Sequence, residues 1–179
     1  IKKTLKNKYN LNSNLIYNEL DRKNIIDKSK KRINIKFSNS YPVFISVGRL
    51  DQNKNHIFLI EAFNNLKKAL KYNLLILGSG NENKYLLNKI NKYQLHNYIK
   101  IINYRDNPYP YIKFSQFIVL PSKIEGYPNV LLEAGVLGKL IISNNTSGPR
   151  EIIEKDKRGY LFSIKSYSKF FNILNKIKN

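Results

Sequence analysis

The chain has 179 residues, 42% of them hydrophobic with 9 Phe and 13 Tyr, which suits one domain with a substantial core and short appendages. Cys, Met and Trp are absent, so disulfides, thiolate metal sites and cysteine nucleophiles are excluded. The formal charge of +20 brings anionic partners into view, and no apolar run approaches the ~20 residues of a membrane-spanning helix.

The cations are spread along the whole chain, in a composition heavy in Lys, Asn, Ile and Tyr of the kind AT-rich coding produces. Only Lys28-Ser-Lys-Lys-Arg32, continuing to Lys36, is dense. Such a spread argues against a nucleic-acid partner and fits an anionic membrane surface or a phosphorylated ligand better. Ile1-Lys-Lys-Thr-Leu5 lacks the apolar stretch of a signal peptide, so the expected location is cytoplasmic, with room for a peripheral seat on the inner membrane face. The missing Met, even at position 1, points to a piece of something longer.

In chain order, residues 1–37 read as a linker and the remnant of an upstream domain, with a short apolar run at Leu15-Ile-Tyr-Asn18. A domain over 38–179 follows. Tyr41 to Val47 is β-branched, aromatic and uncharged, the pattern of a buried strand, and it ends at Gly48-Arg49. Asn55 is placed to cap a helix in which Ile57, Leu59, Ile60, Phe63, Leu66 and Leu70 recur at helical spacing. Leu74–Leu77 is the second strand, closed by Gly78-Ser-Gly80, and a helix over about 82–93 leads to a third strand at Ile99–Ile102. A loop at 103–108 and a short helix over 110–115 precede the fourth strand, Phe117–Leu120. Pro128 then opens a helix, because its missing N–H is not needed in a first turn. A fifth strand at Lys139–Ser143, a loop through Pro149, a turn of helix at 150–154, an edge strand at Gly159–Phe162 and a helix over 166–177 complete the order. Strands and helices alternating at short connections predict an α/β fold, a Rossmann-like parallel sheet with helices on both faces.

In such a sheet the loops after the strands share one edge and converge on one ligand. Here they carry Gly48-Arg49, Gly78-Ser-Gly80, Asn103-Tyr-Arg105, Glu125-Gly126 and Ser147-Gly-Pro149. Arg49 and Lys54 are suited to clamp an anion, one as a fork of donors and the other as a mobile point charge. The helix after Pro128 presents free amides and a positive dipole end beside Glu125. Val130, Ala134 and Leu137 mark its expected buried stripe, which puts Glu133 on or beside that stripe. Two readings of Glu133 stand: an ordinary glutamate at the stripe's margin, or a carboxylate that accepts sugar hydroxyls. Glu125 and Glu133 also raise a two-acid hydrolase, although one on a loop and one on a helix do not set the required separation. No complete G-x-G-x-x-G or P-loop pattern occurs. His56 and His96 lack ligand spacing, the acids do not cluster, and no metal site is expected.

Glu125-Gly-Tyr-Pro-Asn-Val-Leu-Leu-Glu133-Ala resembles the Glu-x7-Glu motif of retaining GT-B glycosyltransferases, in the glycogen-synthase-like group 1 family. Ser46-Val-Gly-Arg-Leu-Asp-Gln-Asn-Lys54-Asn, Leu77-Gly-Ser-Gly80, Asn107-Pro-Tyr-Pro110 and Ser147-Gly-Pro-Arg-Glu151 are similar to further family motifs in the family's order, together spanning about 41–163. Leu15–Asn18 resembles the crossover between the two domains of such enzymes, and Leu140 departs from the proline usual at its position. The resemblance implies the C-terminal half of a GT-B fold that binds a nucleotide sugar, commonly a UDP-sugar, as substrate and uses no metal or cofactor. It gives Arg49 and Lys54 the donor diphosphate, Glu125 the transferred sugar and Glu133 the ribose hydroxyls. It puts the amides of Asn129 and Val130 at the phosphate, Asn103, Tyr104 and Arg105 at the base, and Gly48, Gly78, Gly80 and Gly126 in the lining of the site.

The same resemblance implies an acceptor-binding domain before residue 1 and a C-terminal helix cut short at Asn179. The chain alone is therefore expected to bind donor without turnover. A truncated or non-catalytic binding module and a GT-B sugar-nucleotide epimerase are the alternative readings. The acceptor expected is a sugar or a lipid-linked glycan.

Overall fold

The central strands are apolar on both sides, which leaves them no solvent face and demands cover on each. The computed structural model describes residues 2–10, 12, 14, 17–66, 71–156 and 159–177, and in it six strands pair into one parallel sheet. The elements are α1 (Lys2–Tyr9), α2 (Arg22–Lys28), β1 (Val43–Val47), α3 (His56–Asn65), β2 (Asn73–Leu77), α4 (Asn83–Lys92) and β3 (Ile99–Ile102). They continue with α5 (Tyr109–Phe114), β4 (Phe117–Leu120), α6 (Asn129–Val136), β5 (Leu140–Asn144), α7 (Ser147–Asp156), β6 (Gly159–Phe162) and α8 (Tyr167–Ile177). The predicted parallel α/β sheet is present, in the order β3-β2-β1-β4-β5-β6.

Alternate side chains of each strand enter opposite cores, as the pleat requires. Phe44, Leu74, Ile76, Val119 and Ile142 pack with Leu59 and Phe63 of α3, Leu86 and Ile90 of α4 and Phe170 of α8. Ile45, Leu75, Leu77, Ile118, Leu120 and Ile141 pack with Ile112 of α5, Leu131 and Ala134 of α6 and Ile152 of α7. The sheet is thus rigidly held on both faces, and the loops at its carboxyl edge start from fixed points.

Several details depart from expectation. Within the stretch read as linker, α2 lies against α5 and α6, with Ile25 buried and Asp21 accepting from the Asn24 amide at 2.9 Å as its cap. Asn107 fastens the end of α2, donating to the Lys28 carbonyl at 3.0 Å. Helix α7 starts at Ser147, so Ser147-Gly-Pro149 form a first turn instead of a loop; Pro149 is tolerated there because that turn needs no N–H from it. Pro128 takes the extended cap position before α6 instead of its first turn. Asn55 stands at the start of α3 in a left-handed conformation (φ 55°, ψ 40°) and gives it no side-chain cap; its amide donates to the Pro121 carbonyl at 3.3 Å instead. The buried positions of α6 are Leu131 and Ala134, while Val130 and the C-cap Leu137 are only partly buried, so the stripe predicted for this helix is shifted. Leu15, Ile16, Leu70 and Asn179 lie outside the described residues.

Candidate functional site

β1 pairs with β2 on one side and β4 on the other, so the strand order reverses between β1 and β4 and their carboxyl-end loops diverge around a crevice. The loop after β1 is anchored from beneath by buried Leu50, whose amide donates to the Ser79 carbonyl at 2.9 Å and whose own carbonyl accepts from Glu82 at 2.9 Å. Gly48 donates to the Leu77 carbonyl at 3.0 Å. A Cβ at Gly78 would lie 1.8 Å from the Gly48 oxygen, and one at Gly80 would lie 2.4 Å from the Leu50 oxygen. Gly78-Ser-Gly80 therefore lets two loop backbones touch, a steric reason for glycine that needs no ligand. Gly48 sits under the stem of Lys54, where a Cβ would come within 3.3 Å of Lys54 Cδ and Cε.

Lys54 and Glu125 meet across the crevice: the ammonium donates to Glu125 Oε1, with the two side chains 20% and 12% exposed. A pair this enclosed is strongly coupled, and removing one member leaves the other charge poorly solvated. Arg49 stands apart, 81% exposed, with Nε 3.3 Å from Asp51 Oδ2. Asp51 Oδ1 accepts the Lys54 amide at 2.9 Å, so one carboxylate shapes the turn that carries both cations. Asn53 joins the loops directly. Its carbonyl accepts from the Lys123 amide at 2.8 Å, its Nδ2 donates to the Ile124 carbonyl at 3.1 Å, and its Oδ1 accepts the Ile124 amide at 3.1 Å.

Gly126 is exposed with open space around its Cα, but Gly148 in the first turn of α7 is not: a Cβ there would lie 1.6 Å from the Gly126 oxygen. Ser147 Oγ donates to the Glu125 carbonyl at 3.3 Å, so α7 supports the Glu125-Gly126 loop from behind. Helix α6 starts at Asn129 with no side-chain cap, which leaves the first-turn amides of Asn129 and Val130 without helical partners. Glu133 lies half-buried on the flank of α6, where burial raises its carboxyl pKa and a 3.5 Å contact from Tyr109 Oη partly offsets that. Asn103, Tyr104 and Arg105 are exposed at the end of β3, and Arg105 Nη1 donates to the Tyr104 carbonyl at 3.1 Å. They share the sheet edge with the crevice without being drawn onto Lys54 and Glu125.

Sequence reasoning quoted Asp51, Asn53 and Tyr109 within motifs but gave them no role, and it missed the ties of the 17–18 segment. Asn18 Nδ2 donates to Asn129 Oδ1 at 2.6 Å, Tyr17 packs on Tyr127 with ring centroids 5.2 Å apart, and its hydroxyl donates to Glu151. Asp51 alone carried a local signal, an aspartate three residues before a lysine in a turn.

The reversed strand order, with cations, carboxylates and a helix start gathered at its crevice, defines a Rossmann-like domain. The chain belongs to the glycosyl transferases group 1 family, whose model matches residues 27–179. It is 34% identical over 158 residues to a Campylobacter jejuni N-acetylgalactosamine-N,N'-diacetylbacillosaminyl-diphospho-undecaprenol 4-alpha-N-acetylgalactosaminyltransferase, covering 88% of this chain and 42% of that protein. It is 34% identical over 141 residues to the Staphylococcus aureus capsular polysaccharide biosynthesis glycosyltransferase CapH, covering 76% of this chain and 38% of that one. Among solved structures, Anabaena Alr3699/HepE in complex with UDP and glucose shares the fold, with a TM-score of 0.68 and 21% identity over 76% of this chain and 38% of its own. The chain thus spans about two-fifths of the relatives it matches.

Proposed function

We propose that this domain binds a nucleotide-diphosphate sugar, a UDP-sugar in particular, as the donor half of a retaining glycosyltransferase in surface-glycan or lipid-linked glycan assembly. The observation that carries the proposal is the meeting of Lys54 and Glu125 at the strand-order reversal, with Arg49 on the same loop. Family membership supports it, as do a relative named for a diphospho-undecaprenol acceptor and a fold neighbour holding UDP and glucose.

In this reading Arg49 and Lys54 grip the diphosphate and stabilise the negative charge that builds on it as the bond to the sugar breaks. Their two positive charges take the part a metal ion plays elsewhere, so the reaction is metal-independent and needs no cofactor. The amides of Asn129 and Val130 add donors to the phosphate. Glu125 faces the transferred sugar, Glu133 accepts the ribose hydroxyls, and Asn103 to Arg105 lie along the base. A second domain, outside these 179 residues, holds the acceptor and closes the crevice, and the basic surface seats the enzyme on an anionic membrane.

Calorimetry with UDP and UDP-sugars tests the donor assignment. Each of Arg49→Ala and Lys54→Ala removes a charge-assisted contact and is expected to weaken UDP binding by about 1.5–3 kcal/mol, roughly 10- to 150-fold. A folded wild-type chain that takes up no nucleotide would refute the proposal.

A further inference from the structure

Asn53 is fixed in a way none of the roles above requires. Three hydrogen bonds run from this one residue to two consecutive residues of the opposite loop, Lys123 and Ile124. Two of them are reciprocal, because the side-chain amide donates to the Ile124 carbonyl while accepting the Ile124 amide, each at 3.1 Å. A planar amide of this length does both at once; a carboxylate cannot donate and a methyl does neither. The backbone of Ile124 is thereby held while its side chain stands 75% exposed. Next along the two loops come Lys54 and Glu125, which pair with one another, and Asn55 follows with its bond to Pro121. The three consecutive residues 53–55 therefore join the β1 loop to the β4 loop across the strand-order reversal. Of the three, only Asn53 holds the residue immediately before Glu125.

We propose that Asn53 is a positioning residue that sets the Glu125 carboxylate against the donor sugar by fixing the Ile124 backbone. The proposal rests on the donor reading above. It assigns Asn53 no contact with the diphosphate, so the part of binding owed to the nucleotide and the part owed to the sugar separate in the test. The chain is titrated with UDP and with UDP-glucose, UDP-galactose and UDP-N-acetylgalactosamine, and the ratio of the UDP Kd to that of the tightest sugar nucleotide is measured.

Asn53→Ala and Asn53→Asp are expected to bind UDP within about threefold of wild type; the alanine variant should lose about tenfold of the sugar preference, the effect of two ordinary hydrogen bonds, and the aspartate variant, which loses only the donated bond, about fivefold. Asn53→Asp keeps the size of the side chain and serves if the alanine variant does not fold. In the Glu125→Gln background, Asn53→Ala should change the ratio no further, because both substitutions act on one group. A retained preference in either Asn53 variant, or additive losses in the double variant, overturns the positioning role and leaves the donor reading standing. Failure of wild type to bind any of the four nucleotides overturns both.

Discussion

His56 begins α3 with 1% of its surface exposed, one residue from Asn55 and two from Lys54. Burial, and after it the charge of Lys54, lowers its pKa from 6.5 to about 4, with Asp51 acting in the opposite sense. The folded protein therefore keeps this ring neutral at pH values where the unfolded chain protonates it. Stability owed to the neutral ring is fully present above pH 6.5, falls as the pH drops below that, and reaches its floor near pH 4. At about 1.4 kcal/mol per pH unit, the loss between pH 6.5 and pH 5 is about 2 kcal/mol. Urea unfolding at both pH values should show a pH-dependent loss smaller by about that amount in His56→Gln than in wild type. An equal loss in the two proteins would mean that His56 is not the group responsible. Lys54 thus bears on two neighbours of opposite character, attracting Glu125 and keeping a proton off His56.

At the scale of elements, α7 and the loop after β4 form one unit through Gly148 and Gly126. The 1.6 Å approach that a Cβ would make to the Gly126 oxygen leaves Gly148→Ala no room, since backbone lies on both sides. That substitution should cost about 1–3 kcal/mol by overpacking and, by pushing Glu125 away from Lys54, weaken sugar-nucleotide binding as well. Gly126→Ala faces open space and should stay within about 0.5 kcal/mol of wild type. Denaturant titration of the pair checks this, and equal stability in both would count against the coupling of loop and helix. The strands and their parallel sheet were largely legible in the sequence, though not their order across it, because β-branched apolar runs stopped by Gly or Pro, such as Tyr41–Gly48 and Phe117–Pro121, leave a buried strand as the simplest arrangement. Helix α2 was not, since two isoleucines in seven residues make no periodic pattern and its stability comes from α5 and α6. The crevice was legible by residue type and not by pairing. Lys54 and Glu125 were recognised separately, but they are 71 positions apart, and no local rule says that they touch or that Asn53 aligns them.

Over the whole molecule, 32 basic residues face 12 acidic ones, and the recorded ion pairs among the described residues are Lys30–Asp27, Arg49–Asp51 and Lys54–Glu125. The net positive charge favours anions, and at 0.1 M salt each charge acts over about 10 Å. Around α2 it is concentrated: Lys28, Lys31, Arg32 and Lys36 are exposed, and among the described residues only Lys30 of that run is matched by an acid, at 2.8 Å. If the proposed membrane seat exists, this run is its strongest contributor, with each cation near an anionic surface contributing about 1 kcal/mol. Vesicles of phosphatidylglycerol should then bind the chain at 50 mM salt and release it at 500 mM, while phosphatidylcholine vesicles bind little at either. Replacing Lys28, Lys31, Arg32 and Lys36 together with Gln should weaken phosphatidylglycerol binding by about 4 kcal/mol, close to a thousandfold, without altering UDP affinity more than about twofold. Binding that survives the fourfold replacement would assign the seat to charge dispersed over the surface, and binding that ignores salt would assign it to exposed apolar side chains such as Ile26 or Ile124.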